Sequence, residues 1–395
     1  MSPETHPSFS SLDHMHMAHA LRLAERGLYT AQPNPRVGCV IAHGEQVIGM
    51  GFHARAGEPH AEVFALREAG EAARGATAYV TLEPCAHFGR TPPCADALVV
   101  AGVARVVIAA EDPFPQVAGR GIGKLRAAGI AVDSGLLREP ARELNIGFFS
   151  RLERGRPWVR VKLAMSLDGR TALANGESRW ITGEAARADV QRWRARSSAI
   201  LTGSGTVLAD NPRLTVRSDV LFAGCAGEEG REVEEAVAPV SHACPADEGF
   251  RPPLRVVLDR HLRTPEGSHV LDGSAPTLLL HAAGADDTRN RFGTVECAVV
   301  AEHQGRLDLG AAMAELARRG INEVHVEAGP TLCGALFAAG LADELLLYVA
   351  PLLLGDQARP LLQLPTLADM AGRWPLRMLD RRALGEDWRL RLRPV

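Results

Sequence analysis

The sequence predicts an α/β protein of two domains, each a sheet layered with helices. Three observations carry this. Short apolar strands alternate with helical stretches of about ten residues. The alternation runs once before and once after a charged segment, Arg151–Pro157, punctuated by Gly155 and Pro157. The length of 395 residues leaves room for two or three cores at about 150 residues each.

In the first half, Asp13–Arg26 reads as a helix. Met17, Leu21 and Ala24 mark its apolar face and Gly27 its stop. Pro33-Asn34-Pro35 turns into a strand, Val37–Ala42, with Val47–Phe52 as its hairpin partner. His60–Gly70 is a helix, and Ala76–Leu82 a strand that ends at Glu83-Pro84. Helix Cys94–Gly102, strand Arg105–Ala110, helix Gly121–Ala128 and strand Ile130–Val132 follow. In the second half, Val159, Val161 and Leu163 alternate with Arg160 and Lys162 along the strand Trp158–Met165. Then come helix Gly183–Arg196 and strands Ala199–Thr202, Leu254–Asp259 and Thr277–His281. Helix Gly310–Arg319, strand Glu323–Glu327, helix Thr331–Ala339 and strand Glu344–Ala350 complete it. Asp219–Phe250 shows no period and reads as a surface insertion.

Composition excludes several classes. Hydrophobic residues at 46% and charged residues at 23% are globular values, not those of a disordered chain. A net charge of −3 argues against a general polyanion binder, so no nucleic-acid partner is expected. The insertion carries eight acidic residues and one basic, which leaves +4 on the remainder and suits phosphorylated ligands. No apolar run approaches the roughly 20 residues of a membrane helix. The polar N-terminus shows no signal peptide, and a cytoplasmic location is expected. Seven cysteines are too sparse for a disulfide framework.

The sharpest chemical signal is His60-Ala61-Glu62, followed by Pro84-Cys85 and Cys94. One His and two Cys hold zinc with a fourth position left for water, whose pKa the metal lowers toward about 7. Glu62, a carboxylate beside the ligands, suits a proton shuttle, the pattern of zinc-dependent base deaminases. A closed structural site would need a fourth ligand, for which His87 is the candidate. His14, His16 and His19 read as solvated or capping residues. The second half offers two glycine turns between strand and helix, Leu201-Thr-Gly203-Ser204-Gly205-Thr206 and Glu327-Ala-Gly329-Pro330-Thr331-Leu332. With Arg179, Arg194 and Arg217 nearby, they suit a phosphorylated cofactor or substrate. No Gly-x-Gly-x-x-Gly opens a helix with an acidic residue about 20 positions later, which argues against a Rossmann domain.

The run Cys85-Ala-His-Phe-Gly-Arg-Thr-Pro-Pro-Cys94, with its eight-residue spacing, resembles the pyrimidine deaminases of riboflavin biosynthesis. So do Pro33-Asn34-Pro35, Gly51-Phe-His53 and Asp112-Pro-Phe-Pro-Gln-Val-Ala-Gly119. Val161-Lys-Leu-Ala-Met-Ser-Leu-Asp-Gly-Arg-Thr171, Gly176-Glu-Ser-Arg-Trp-Ile-Thr182, Thr206-Val-Leu-Ala-Asp-Asn-Pro212 and Leu214-Thr-Val-Arg217 resemble the reductases of the same pathway. Together the halves resemble the bifunctional deaminase/reductase family over nearly the whole chain. The resemblance implies a cytidine-deaminase-like three-layer α/β/α domain over 1–150. It also implies a dihydrofolate-reductase-like α/β domain over 151–395, with the insertion at 219–250. It implies zinc on His60, Cys85 and Cys94, Glu62 as catalytic proton shuttle, and deaminase substrate on Asn34, His53, Arg90 and Thr91. NADPH falls to Ala164, Trp180, Thr206, Asp210 and the turn Gly329, Pro330, Thr331, Leu332, Cys333, Gly334 and Ala335. Reductase substrate falls to Lys162, Ser178, Arg194, Leu214, Arg217 and Glu327. The implied activity is hydrolytic deamination of 2,5-diamino-6-ribosylamino-4(3H)-pyrimidinone 5′-phosphate. Reduction of the ribosyl group to ribityl follows, with homo-oligomerisation left open. The resemblance departs at Arg260, which follows Asp259 where relatives often carry Ser near the cofactor; an arginine there can meet a 2′-phosphate.

Overall fold

The computed structural model describes residues 8–86, 92–114, 117–217, 250–285 and 291–395. The chain divides into two compact units between Gly155 and Arg156.

The first unit contains helix α1 (Ser11–Glu25), strands β1 (Gly38–His43) and β2 (Gln46–Phe52), helix α2 (Ala61–Ala69) and strand β3 (Thr77–Leu82). Helix α3 (Cys94–Ala101), strand β4 (Arg105–Ala110), helix α4 (Arg120–Ala127) and strand β5 (Ala131–Ser134) continue it. Helices α5 (Arg138–Leu144) and α6 (Ile146–Arg154) close it. Its sheet runs β2-β1-β3-β4-β5, antiparallel at β1 and parallel from β3 to β5. Residue parity builds the layers. Cys39, Ile41, Val106 and Ile108 pack with Ala65, Leu98 and Leu125 of α2–α4 on one face. Val40, Val107 and Tyr79 pack with Met17, Leu23 and Phe148 of α1 and α6 on the other. The α1 start is a capping box between Ser10 and Asp13.

The sequence reading takes Arg151–Pro157 as the boundary segment; the division falls within it, and its first residues, Arg151–Arg154, form the last turn of α6. Phe148 and Phe149 of that helix are buried, and basic residues in its last turn complement the helix dipole. Gly155, at φ 67°, terminates it. His16, read as solvated or capping, is buried and its Nε2 meets the Gly44 carbonyl at 2.8 Å.

The second unit begins with strands β6 (Trp158–Ser166) and β7 (Arg170–Ala172), helix α7 (Glu184–Arg196), strand β8 (Ala199–Gly203) and helix α8 (Ser204–Asp210). Strands β9 (Leu254–Leu258), β10 (Thr277–His281) and β11 (Glu296–Val299) follow, then the hairpin β12 (Glu302–His303) and β13 (Arg306–Leu307). Helix α9 (Leu309–Arg318), strand β14 (Glu323–Val326), helix α10 (Pro330–Ala338) and strand β15 (Glu344–Ala350) come next. Strand β16 (Arg359–Pro360) and the hairpin β17 (Leu376–Leu384) and β18 (Asp387–Pro394) end the chain. The nine-stranded sheet runs β11-β10-β9-β8-β14-β6-β15-β18-β17. It is parallel except at β18 and β17. Val159, Val161 and Leu163 pack with Met313, Leu316, Leu336 and Phe337. Lys162, of the opposite parity, shares its face with Arg160. The predicted insertion lies outside the described residues apart from Phe250. Among the described residues no helix is long and apolar enough to cross a membrane.

Candidate functional site

The fold brings His60, Cys85 and Cys94 together from three places. His60 is the N-cap of α2, Cys85 follows β3, and Cys94 is the first residue of α3. Their ligand atoms all lie within 4.8 Å of one another. His60 Nδ1 stands 3.6 Å from Cys85 Sγ and 3.3 Å from Cys94 Sγ. The Cys94 amide donates to Cys85 Sγ at 3.3 Å. Hydrogen bonding with Cys94 and His60 overcomes burial and pulls the Cys85 thiol down to about 4; Cys94, beside that thiolate, is pushed up. One imidazole and two thiols converging on a point is a donor set that fits zinc with one position open.

Glu62 sits in the first turn of α2, is 3% exposed, and its Oε2 has no hydrogen-bond partner. Burial raises its pKa against the pull of His60. His53 is also buried, with its ring 5.3 Å from that of His60. Its Nδ1 donates to the Pro59 carbonyl at 3.2 Å, so Nε2 accepts from Asn34 Nδ2 at 3.0 Å. These two contacts fix a neutral tautomer, in line with the burial that lowers the His53 pKa. Asn34 is thereby oriented, with its amide oxygen left for another partner. Arg90, Thr91 and the rival ligand His87 lie outside the described residues.

Glu83 has no role in the sequence reading, yet it organises the loop beside Cys85. Its buried carboxylate accepts from the amides of Asp112, Gly119, Gly121 and Ile122 at 3.0–3.3 Å. The first turn of α4 is thus capped by an anion. Gly121 permits the approach, since a Cβ there would stand 2.0 Å from the Pro84 carbonyl oxygen. The signal in the sequence was only its adjacency to Pro84-Cys85. Glu83→Gln replaces an acceptor with a donor facing amides. It should destabilise the first unit by about 1.5–3 kcal/mol. The deamination that the resemblance implies would then be lost at lower urea while tryptophan fluorescence, confined to the second unit, keeps its midpoint.

The second unit holds a cleft of about 1060 Å³. It lies across the carboxyl ends of the parallel strands, where α/β sheets place ligands. Lys162, Ala164, Ser178, Trp180, Arg194, Thr206, Asp210, Leu214 and Glu327 line it, as do Gly329, Pro330, Thr331, Leu332 and Ala335. Arg194 grips Glu327 with both edges, Nε to Oε1 at 2.5 Å and Nη2 to Oε2 at 2.8 Å, and gives Nη1 to the Thr215 carbonyl at 2.7 Å. Burial opposes the charge on Glu327, but Arg194 holds its carboxyl well below the usual range. Burial lowers the Lys162 pKa, with Glu327 opposing and Arg194 adding to the fall. Trp180 is 68% exposed, so it is a wall of the cleft and no core residue; the Arg187 guanidinium lies 4.6 Å over its ring.

Three expected residues lie off the wall. Cys333 is turned into the hydrophobic core. Gly334 makes room for the backbone of Gln363, whose carbonyl oxygen would be 2.0 Å from a Cβ. Arg217 is exposed, and its amide donates to Gln191 Oε1 at 3.0 Å. Arg179, which the sequence reading placed near the glycine turns, also lines the cleft, and the reading missed Arg187, Arg306 and Arg359, which line it too. Dispersed arginines leave no local pattern.

Comparison with known proteins matches both units. Residues 10–110 match the family model described as cytidine and deoxycytidylate deaminase zinc-binding region, and residues 157–390 match the RibD C-terminal domain. The riboflavin biosynthesis protein RibD of Escherichia coli (strain K12) is 50% identical over 375 residues, covering 95% of this chain and 97% of that one. Its Haemophilus influenzae counterpart is 46% identical over 98% of each chain. The solved Acinetobacter baumannii RibD superposes with a TM-score of 0.84 at 44% identity, covering 97% of this chain and 99% of its own. A diaminohydroxyphosphoribosylaminopyrimidine deaminase/5-amino-6-(5-phosphoribosylamino)uracil reductase from Thermotoga maritima does so with 0.79 at 30% identity, over 97% and 99%. With a zinc-type donor set in one unit and a nucleotide-sized cleft in the other, the chain belongs to the RibD family of bifunctional deaminase/reductases in riboflavin biosynthesis.

Proposed function

We propose that the first unit deaminates 2,5-diamino-6-ribosylamino-4(3H)-pyrimidinone 5′-phosphate and the second reduces the ribosyl group of its product to ribityl. The carrying observation is a buried carboxyl with an unpartnered oxygen, Glu62, beside a His/Cys/Cys cluster with no fourth protein ligand among the described residues. His60, Cys85 and Cys94 would hold zinc, which when bound would supply an acidified water at neutral pH. Glu62 would take a proton from that water as its oxygen bonds to the amino-bearing ring carbon, and would give the proton to the amine, whose C–N bond then breaks to release ammonia. Asn34, held by His53, presents its amide to the base. Arg90 and Thr91 hold the substrate phosphate.

NADPH, bound in the cleft of the second unit, would supply the hydride for the second reaction. The cleft wall at Ala164, Trp180, Thr206, Asp210, Gly329–Leu332 and Ala335 orients the cofactor. Lys162, Ser178, Arg194, Leu214 and Glu327 orient the sugar, and Arg217 completes the substrate set at its edge. Fixed charges do most of this work, since Arg194 and Glu327 lock each other before anything binds. The partners are small phosphorylated pyrimidines in the cytoplasm.

A mass assay tests the assignment. Without NADPH the substrate should lose ammonia; with NADPH the product should gain two hydrogens. A zinc chelator should stop deamination and leave reduction of the deaminated intermediate intact. Equal inhibition of both steps, or no product in either, contradicts two independent sites.

A further inference from the structure

We propose that Tyr348 is a positioning residue for the reduction: the face of its ring holds the Lys162 ammonium in the cleft, and Asp189 behind it fixes the ring. The proposal rests on the reductase reading above, which gives Lys162 to the sugar. Lys162 on β6 pairs in register with Leu346 of β15, so Tyr348 stands two residues further along the neighbouring strand, on the same face. At that diagonal separation an aromatic and a long side chain reach each other. Lys162 Nζ lies 5.8 Å from the centre of the Tyr348 ring, within the roughly 6 Å over which a ring attracts a cation. Among the described residues no hydrogen bond or ion pair holds this amine. Glu327, the carboxylate that acts on it, has both oxygens engaged by Arg194.

The ring is held and polarised from behind. Tyr348 is buried, and its hydroxyl donates to Asp189 Oδ2 of α7 at 2.7 Å. Trp193 Nε1 and Arg389 Nη1 also donate to that carboxylate, at 3.2 and 3.1 Å. A phenol bonded to a carboxylate carries more electron density in its ring, which strengthens its hold on a cation. The hydroxyl is thereby committed. Burial pushes the phenol up and Asp189 adds to the rise, so Tyr348 offers Lys162 a neutral face and no proton. Burial works against the charge on Lys162, Glu327 favours it, Arg194 opposes it, and Cys333 of α10 adds a smaller pull. His325 of β14 meets Glu327 at 3.3 Å. An ion pair would fix the ammonium at one oxygen, whereas a ring face leaves its N–H donors free for a sugar oxygen. The sequence holds only two lysines, Lys124 and Lys162, and otherwise uses arginine. The cation at this point of the cleft is therefore one that can shed its charge.

The scarcity of lysine makes the test direct. The full chain is labelled for NMR at the lysine ε carbon, Lys124→Arg identifies the Lys162 signal, and its titration midpoint is read. Tyr348→Phe keeps the ring face and is the reference. Trifluorophenylalanine at the same position keeps the shape and cancels the ring's attraction for a cation. It should lower the Lys162 midpoint by about one pH unit relative to Tyr348→Phe. In reduction of the deaminated intermediate, kcat/KM for the sugar should fall about 10-fold. The positioned group is the ammonium, so activity falls as pH rises past the midpoint, and that limb should move down with it. The KM for NADPH should stay within about threefold, and tryptophan fluorescence in urea should show both variants equally folded. If the two variants share one midpoint and one kcat/KM, the ring only fills space and the proposal is overturned. It is also overturned if the midpoint moves while reduction does not. If the unaltered chain reduces nothing, the reductase reading falls and the positioning role with it, while the midpoint still shows whether the ring holds the amine.

Discussion

Glu62→Gln is expected to lower the deaminase turnover by about 10²- to 10⁴-fold, with zinc content and reductase activity unchanged. The side chain is isosteric, so the change removes proton transfer and little else. Glu62 lies in the first turn of α2, two residues past His60, which places it beside the cluster without making it a ligand. Its Oε2 is buried with no partner, a costly state for a polar atom that serves only structure. The role of a proton carrier accounts for that cost. Three readings on the same variant decide it: ammonia release, bound zinc, and reduction of the deaminated intermediate. Loss of zinc would show that Glu62 holds the metal, and retained deamination would show that another group moves the proton.

The features legible in the sequence share a physical reason. His60, Glu62, Cys85 and Cys94 sit at strand ends and helix starts, so short spacings fix their positions. Lys162 was legible because parity on a strand is strict, and the structure puts it on the face opposite Val161. What escaped the sequence depends on contacts far apart along the chain. Glu83 meets the Gly119 and Gly121 amides 36 and 38 residues away. The alternation Arg389, Arg391, Arg393 looks like a solvated strand edge. In the structure these arginines reach Asp189 and Glu344. Arg160, Arg196, Arg389 and Arg391 also surround the Trp193 ring at 4.5–5.6 Å. No local pattern distinguishes a buried arginine layer from an exposed one, because the partners come from other strands.

That layer carries the second large effect. Glu344, fully buried on β15, accepts from Arg160 Nε at 2.7 Å, Arg391 Nη2 at 3.1 Å and Arg393 Nη2 at 3.2 Å. Arg160 is 1% exposed and also meets Glu323 at 3.1 Å. Glu344→Gln keeps the shape but removes the charge that offsets three guanidiniums. Breaking a buried pair from one side typically costs about 3–5 kcal/mol, since the other charge stays buried. Burial alone would raise the Glu344 pKa, but Arg160 and Arg391 hold it well below the usual carboxylate range. A carboxyl depressed in the folded state stabilises fully above its unfolded value, here 4.5, and that contribution drains away as pH falls toward the folded value. The native chain should therefore lose stability on the acid side of 4.5, and Glu344→Gln should flatten that slope while lowering the plateau. All five tryptophans lie in the second unit, so their fluorescence in urea reads it alone. An unchanged midpoint at neutral pH, or an acid slope as steep as in the unaltered chain, would mean that the three arginines find compensation elsewhere. The same layer lies on the face of β6 that carries Lys162, two residues from Arg160. Destabilising it should therefore raise the KM for the sugar substrate before the fold is lost.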